Sequence, residues 1–181
     1  KPRILGVPPA LVERAAFRFR QSLELPAGAR SPWDLLARPA DDGAVPVIGD
    51  FNSTQWILHL GLGHTLELVD ELGRPLRLRL VATLDTSVFQ SELLISEQAF
   101  LEHFPSRSGF GYFLIETPTG AEQAMAQELE RGLAPFGFDV STAREKLEGY
   151  KAVEHTYLAT FQLLGGLGLL LGTVGLGVVL L

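Results

Sequence analysis

The last 26 residues of the chain, 156–181, contain no Asp, Glu, Lys or Arg. As a helix, residues 158–181 would reach about 36 Å, enough to cross a hydrocarbon core of about 30 Å. Glu154 and His155 mark the polar edge of this run, and Tyr157 stands where an interfacial aromatic is favoured. Six glycines, at 165, 166, 168, 172, 175 and 177, would weaken a helix in water by about 1 kcal/mol each relative to Ala. In lipid they are tolerated and let another helix approach closely, and Gly168 and Gly172 have the small-xxx-small spacing that serves this. A soluble helix that is apolar all round would need cover on every side, which the preceding residues can hardly supply while building their own core. Gly166 and Gly168 resemble half a dinucleotide fingerprint, but no strand precedes them and no acidic residue follows. A cleaved signal peptide would be N-terminal. A tail anchor, or a C-terminal lipid-anchor signal, shares the pattern. The chain begins with Lys and ends inside the apolar run, so it reads as a piece of a longer protein.

Every formal charge lies before residue 155, so the net charge of −6 belongs to the part outside this run. An acidic domain of this kind is a poor partner for nucleic acid or anionic lipid surfaces. The 181 residues allow one domain of about 150 residues, or two small ones, besides the apolar segment. The chain has no cysteine, which excludes a disulfide framework and a thiolate metal site.

Residues 3–7 form a short apolar run, and Pro8 and Pro9 permit a helix start. Leu11, Ala15 and Phe19, with Val12, Ala16 and Leu23, recur at helical spacing, which predicts a helix over about 9–23. Residues 26–44 are rich in Pro and Gly and read as an irregular connection anchored by Trp33, Leu35 and Leu36. Residues 45–48 read as a short strand, and Asn52 as the cap of a helix or turn before 55–60. Asn52, Ser53 and Thr54 also match the glycosylation sequon, though nothing indicates a eukaryotic secretory origin.

The clearest strand signal follows. Residues 64–69, a turn through Gly73, and the alternation of Leu76, Leu78 and Leu80 with Arg77 and Arg79 predict a half-buried antiparallel hairpin whose second strand has room to extend to Leu84. Thr65 and Glu67 would share the polar face with the two arginines, which read as a solvated face in preference to an anion site. A strand over 92–95 and a short helix capped by Ser96 and stopped by Pro105 come next. Residues 110–116 and 138–141 then read as strands flanking a helix that starts at Gly120 behind a Thr119–Glu122 capping box, with Met125, Leu129, Leu133 and Phe136 as its apolar stripe. This strand-helix-strand pattern implies a crossover in a small α+β layer. Leu147, Tyr150, Glu154, Tyr157 and Phe161 share one helical face, and no proline follows Phe138, so a single helix is expected from about Thr142 to the chain end. The expected fold class is α+β: a β-rich lobe over 1–109, a strand-helix-strand lobe over 110–143, and a stalk helix over 144–181 continuing as a transmembrane helix.

This order of features resembles the FtsX-like and MacB-like permeases of ABC transporters. The residues that carry it are ILGVPPALVERAAF near the start, the 45–84 segment VPVIGDFNSTQWILHLGLGHTLELVDELGRPLRLRLVATL, and LATFQLLGGLGLLLGTVGLGVVLL at the end. Within them, Gly63-His-Thr65-Leu-Glu-Leu68 meets a hairpin at Asp70-Glu-Leu-Gly73-Arg74-Pro75. The resemblance implies a permease subunit in the inner cell membrane, its soluble part extracytoplasmic, transmitting ATP-driven motion across the membrane. It implies as partners a separate nucleotide-binding ATPase subunit, membrane lipid and a second permease copy or homologue. No G-x-x-x-x-G-K-[ST] occurs here, so ATP hydrolysis is expected elsewhere.

No catalytic constellation is legible, and no catalytic, cofactor or metal residue is expected. His59, His64, His103 and His155 are scattered, with neither H-x-x-x-H nor G-x-S-x-G among the motifs. Asp41, Asp42 and Asp139 read as loop or strand-edge residues, and Asp70 with Glu71 as the polar pair of a turn. A membrane-anchored extracytoplasmic binding module is the other reading the sequence supports.

Overall fold

The computed structural model describes residues 2–14, 16–38, 40, 42–107 and 109–179, with side chains at 151–156, 174, 175 and 177–179 outside the description. The chain is mixed α/β and divides into two compact units, 1–114 and 115–181.

The first unit is built on a six-stranded sheet. Its strands are β1 (Arg3–Val7), β2 (Phe19–Ser22), β3 (Val45–Asp50), β4 (Thr65–Val69), β5 (Pro75–Leu84) and β6 (Glu92–Ser96). Their order is β1-β6-β3-β5-β2, with β4 also paired to β5. β1 runs parallel to β6 and β3 parallel to β5, whereas β3–β6, β2–β5 and β4–β5 are antiparallel. Side chains alternate across the sheet, so it carries two cores. Trp33, Ile48, Ala82, Leu84, Phe89 and Leu94 lie in one, and Val47, Leu76, Leu78, Leu80, Leu93 and Ile95 in the other. A register shift between Val47 and Ile48 against β5 lets Leu80 serve one core and Ala82 the other.

The hairpin forms as its alternation implies. Leu76, Leu78 and Leu80 are buried, Thr65 lies opposite Arg79 and Glu67 opposite Arg77, and β5 reaches Leu84. Gly73 turns the chain with φ 78°, a conformation that suits glycine. The connection over 26–44 is anchored by Trp33, Leu35 and Leu36, all buried on a 3₁₀ turn at Pro32–Ala37. The Trp33 ring N–H donates to Ala16 O at 3.0 Å, which satisfies the indole in the core.

The helix expected over 9–23 is much shorter. α1 spans only Pro9–Arg14, and Phe19–Ser22 is strand β2 against β5. Phe17 adopts φ 81°, which no helix tolerates, and Phe19 stacks edge-on against Trp33 at 5.4 Å. The open side of β5 and the Trp33 ring compete successfully with helical periodicity. Asn52 does not cap the following turn. Asp50 does, accepting the N–H of Asn52 at 3.0 Å and of Ser53 at 3.2 Å, and a π-helical turn follows at Ser53–Ile57. Ser96 caps α2 (Glu97–His103) by accepting the Ala99 N–H, and α2 lies on β1 with Phe100 over Gly6.

In the second unit, α3 (Glu122–Leu133) begins two residues later than expected, with Ala121 and not Thr119 at its cap, because Gly120 has φ 86°. No residue of α3 is buried. Residues 110–116 and 138–141, expected as strands, are not strands. A parallel pair joined by one crossover helix has no neighbours to cover its faces. Tyr112, inside the first run, packs on Phe89 at 5.8 Å. α4 runs unbroken over Ala143–Val179, 37 residues or about 55 Å. Thr142 and Glu145 start it reciprocally: the Glu145 N–H donates to Thr142 Oγ1 at 3.1 Å and the Thr142 N–H to Glu145 Oε2 at 2.9 Å. Among the described residues, no helix is long and apolar enough to cross a membrane. The uninterrupted uncharged run with described side chains, 157–173, is 17 residues, or about 25 Å of helix.

Candidate functional site

Two polar constellations stand out in the first unit, each centred on a buried aspartate. Asp70 follows the hairpin's first strand and opens its turn, and its side chain is fully buried. Oδ1 accepts the Leu72 N–H at 2.9 Å and the Arg74 N–H at 2.8 Å, closing the turn. Oδ2 receives the Arg74 Nε–H at 2.8 Å and faces His103 Nδ1 at 3.1 Å. Burial pushes the Asp70 carboxyl up, yet the Arg74 N–H, the His103 ring, the Arg74 guanidinium and the Leu72 N–H together hold it well below the usual carboxylate range. Arg74 also donates through Nη2 to Glu102 O at 2.9 Å, and the Glu71 N–H donates to His103 O at 3.3 Å. Both of these carbonyls belong to the last turn of α2, where helix acceptors lack intrahelical partners. The turn and the helix end therefore satisfy one another.

Asp50 ends β3 beside the end of its parallel neighbour β5. Besides its own turn it accepts the Ser91 N–H at 3.0 Å. Ser91 has φ 63°, and its Oγ lies 3.3 Å from Ser53 Oγ. Glu92, next along β6, is buried and paired with Arg3 through Oε1, while its Oε2 has no hydrogen-bond partner among the described residues. A shallow recess opens here, lined by Arg20, Asp50, Asn52, Asp85, Thr86 and Gln90 above Phe51 and Leu84. The Arg20 guanidinium lies over the Phe51 ring at 3.8 Å, a cation–π contact. The arrangement can hold a small polar group at the carboxyl ends of two parallel strands, a place where α/β sheets commonly take ligands. It presents no nucleophile activated by a base.

The other residues singled out in the sequence fall as follows. Arg77 and Arg79 share Asp42, Arg79 Nη2 meeting Asp42 Oδ2 at 2.8 Å and Arg77 donating to Asp42 O, so their ion pairs go to the 26–44 connection and not across the strand to Glu67. The Ala44 N–H, opposed by burial and joined by the two guanidiniums, holds the Asp42 carboxyl below its ordinary value. His59 is exposed with φ 50°, and His64 sits beside Gly61. His103 alone among the described histidine side chains joins a buried charged cluster. Asp139 is exposed. Asp41 and the side chain of His155 lie outside the described residues. Ser53 and Thr54 of the sequon are buried, with the Thr54 hydroxyl donating to Asp50 O at 2.8 Å. Among the described residues no group of three His, Cys, Asp or Glu side chains is placed to hold a metal ion.

Asp50, Ser91 and Glu92 carried no sequence signal, since their meeting depends on the pairing of β3 with β6. Asp70 and Arg74 were visible as a turn; their link to His103, 33 residues from Asp70, was not. No protein-family model, curated protein or solved structure matches the chain.

Proposed function

We propose that the chain belongs to a permease subunit of an ATP-driven ABC transport system in the inner cell membrane, coupling ATPase motion to an extracytoplasmic domain. The observation that carries this reading is the continuity of α4. One helix passes without a break from the charged sequence at Arg144–Glu148 into the leucine- and glycine-rich sequence after Tyr157. Leu163, Leu164, Leu167, Leu169, Leu170 and Leu171 are all well exposed on it, which suits lipid or helix neighbours better than water. The described uncharged run is short of a bilayer's thickness, but the sequence continues without charge to Leu181. In this reading the helix is the stalk and the start of a transmembrane segment, the sheet unit is the external body, and ATP chemistry sits on a separate nucleotide-binding subunit. A second permease copy or homologue completes the membrane part, and no nucleic acid is involved.

Affinity purification of the full-length parent protein from detergent-solubilised membranes tests it. A co-purifying nucleotide-binding subunit with vanadate-sensitive ATPase activity is the expected result; recovery with no ATPase would overturn it. The polar recess at Asp50 favours the second reading, a membrane-anchored extracytoplasmic binding module, and that outcome would turn attention to its ligand.

A further inference from the structure

The chain leaves the sheet of the first unit through β6 and α2, and residues 104–114 carry it on towards the second unit. The hairpin turn holds the final turn of α2 at three points and Ser106 just beyond it at a fourth. Arg74 donates to Glu102 O, the Glu71 N–H to His103 O, His103 Nδ1 meets Asp70 Oδ2, and the Ser106 N–H reaches Glu71 Oε2 at 3.4 Å. Asp70 is the hub, since its carboxylate also fixes Arg74 and closes the turn itself. The rest of α2 rests on β1 by apolar packing, with Phe100 against Gly6 and ring-stacked on Phe104 at 5.1 Å. The helix start is held by its own cap, and the helix end depends on another segment of chain.

We propose that the Asp70–Arg74–His103 cluster is a latch that fixes the end of α2 and the outgoing residues 104–107 to the β4–β5 turn. When the latch is closed, displacement of the outgoing chain is passed to the hairpin and hence to β5, which pairs with β2, β3 and β4. When it is open, the last turn of α2 frays and the displacement is absorbed locally. Its use in coupling rests on the permease reading; its existence as a latch does not. The charged and titratable groups around it are Asp70, Glu71 and Arg74 on the turn and Glu102, His103 and Arg107 on the helix side. His103 donates to Asp70 both as the neutral Nδ1–H tautomer and as the cation, so the latch is closed in either form.

Hydrogen exchange on the full-length protein in detergent, followed by mass spectrometry, tests the proposal without a nucleotide-binding partner, so its failure and that of the permease reading are seen separately. Asp70→Asn keeps the shape and removes the charge. It is expected to speed exchange about tenfold or more in peptides covering both the 70–74 turn and 100–107, with β3 and β6 unchanged. Arg74→Gln, which removes only the guanidinium bonds, is expected to do the same to a smaller degree. Arg77→Gln, on the adjoining strand β5 but paired with Asp42, is expected to leave 100–107 unchanged. Faster exchange confined to the turn, with 100–107 still protected, would overturn the proposal. So would loosening of the whole sheet in both latch variants, since the cluster would then belong to the core and be no separable device.

Discussion

Gly49 stands where β3, the π-helical turn and β6 converge. A Cβ there would lie 2.5 Å from Thr54 Cγ2 and 3.2 Å from Leu93 Cδ2. Thr54 cannot swing away cheaply, because its hydroxyl donates to Asp50 O and Phe51 O at 2.8 and 3.1 Å. Gly49→Ala should therefore cost about 1–3 kcal/mol, read from urea denaturation monitored by tryptophan emission. Adding Thr54→Ser, which deletes Cγ2 and keeps the hydroxyl, should recover part of that loss; strictly additive losses would rule out the steric account. Asp70 makes a second prediction at this scale. Its carboxyl is depressed from 3.8, so it contributes stability that is fully present above that value and lost as pH falls through the native one. Stability should fall as pH drops below about 4 in the native chain, and less so in Asp70→Asn. Asp34, Asp42 and Glu145 are lowered too, so the difference between the two chains, not the slope of either, isolates Asp70. An identical acid profile in both would show that the latch carboxylate does not sense folding.

Elements were legible where the pattern was local. β5 announced itself because Leu and Arg alternate over a stretch with one face buried, and α2 because Ser96 and Pro105 bracket it. Ser96→Ala should accordingly cost about 1 kcal/mol, measured as a shift in the thermal midpoint, through loss of the bond from Ala99 N–H; no shift would mean that packing on β1 alone sets the helix start. β2 is hidden in the sequence because Phe19, and Leu23 just beyond it, fit a helix as well as they fit a bulged strand, and only the free side of β5 decides between them. The strands expected at 110–116 and 138–141 failed for the converse reason, since apolar residues need neighbouring strands before they become a sheet. The sites were less legible than the elements. Every member of the Asp50 corner and the Asp70 latch was in view, but the contacts join residues separated by tens of positions, and nothing in a local pattern brings Ser91 to Asp50 or His103 to Asp70.

At the scale of the whole molecule, the first unit carries the sheet, and α4 carries the apolar length. If α4 enters lipid, a single charge in its uncharged half should be costly. Leu169→Arg is expected to lower insertion by about 2.5–3.5 kcal/mol on a translocon scale, seen as a shift of the full-length protein from carbonate-resistant membranes to the soluble fraction. Unchanged retention would place that part of the helix in contact with water or protein. The sheet's topology also bears on how the chain is made. β1 pairs with β6 in parallel, and Arg3 meets Glu92 across 89 positions of sequence. At about 5–20 residues per second, a ribosome would need roughly 4–18 s to deliver the partner strand after Arg3 has emerged. During that interval the apolar segment at Arg3–Val7 has no ladder to join, so synthesis itself creates a window in which a holdase chaperone has something to bind.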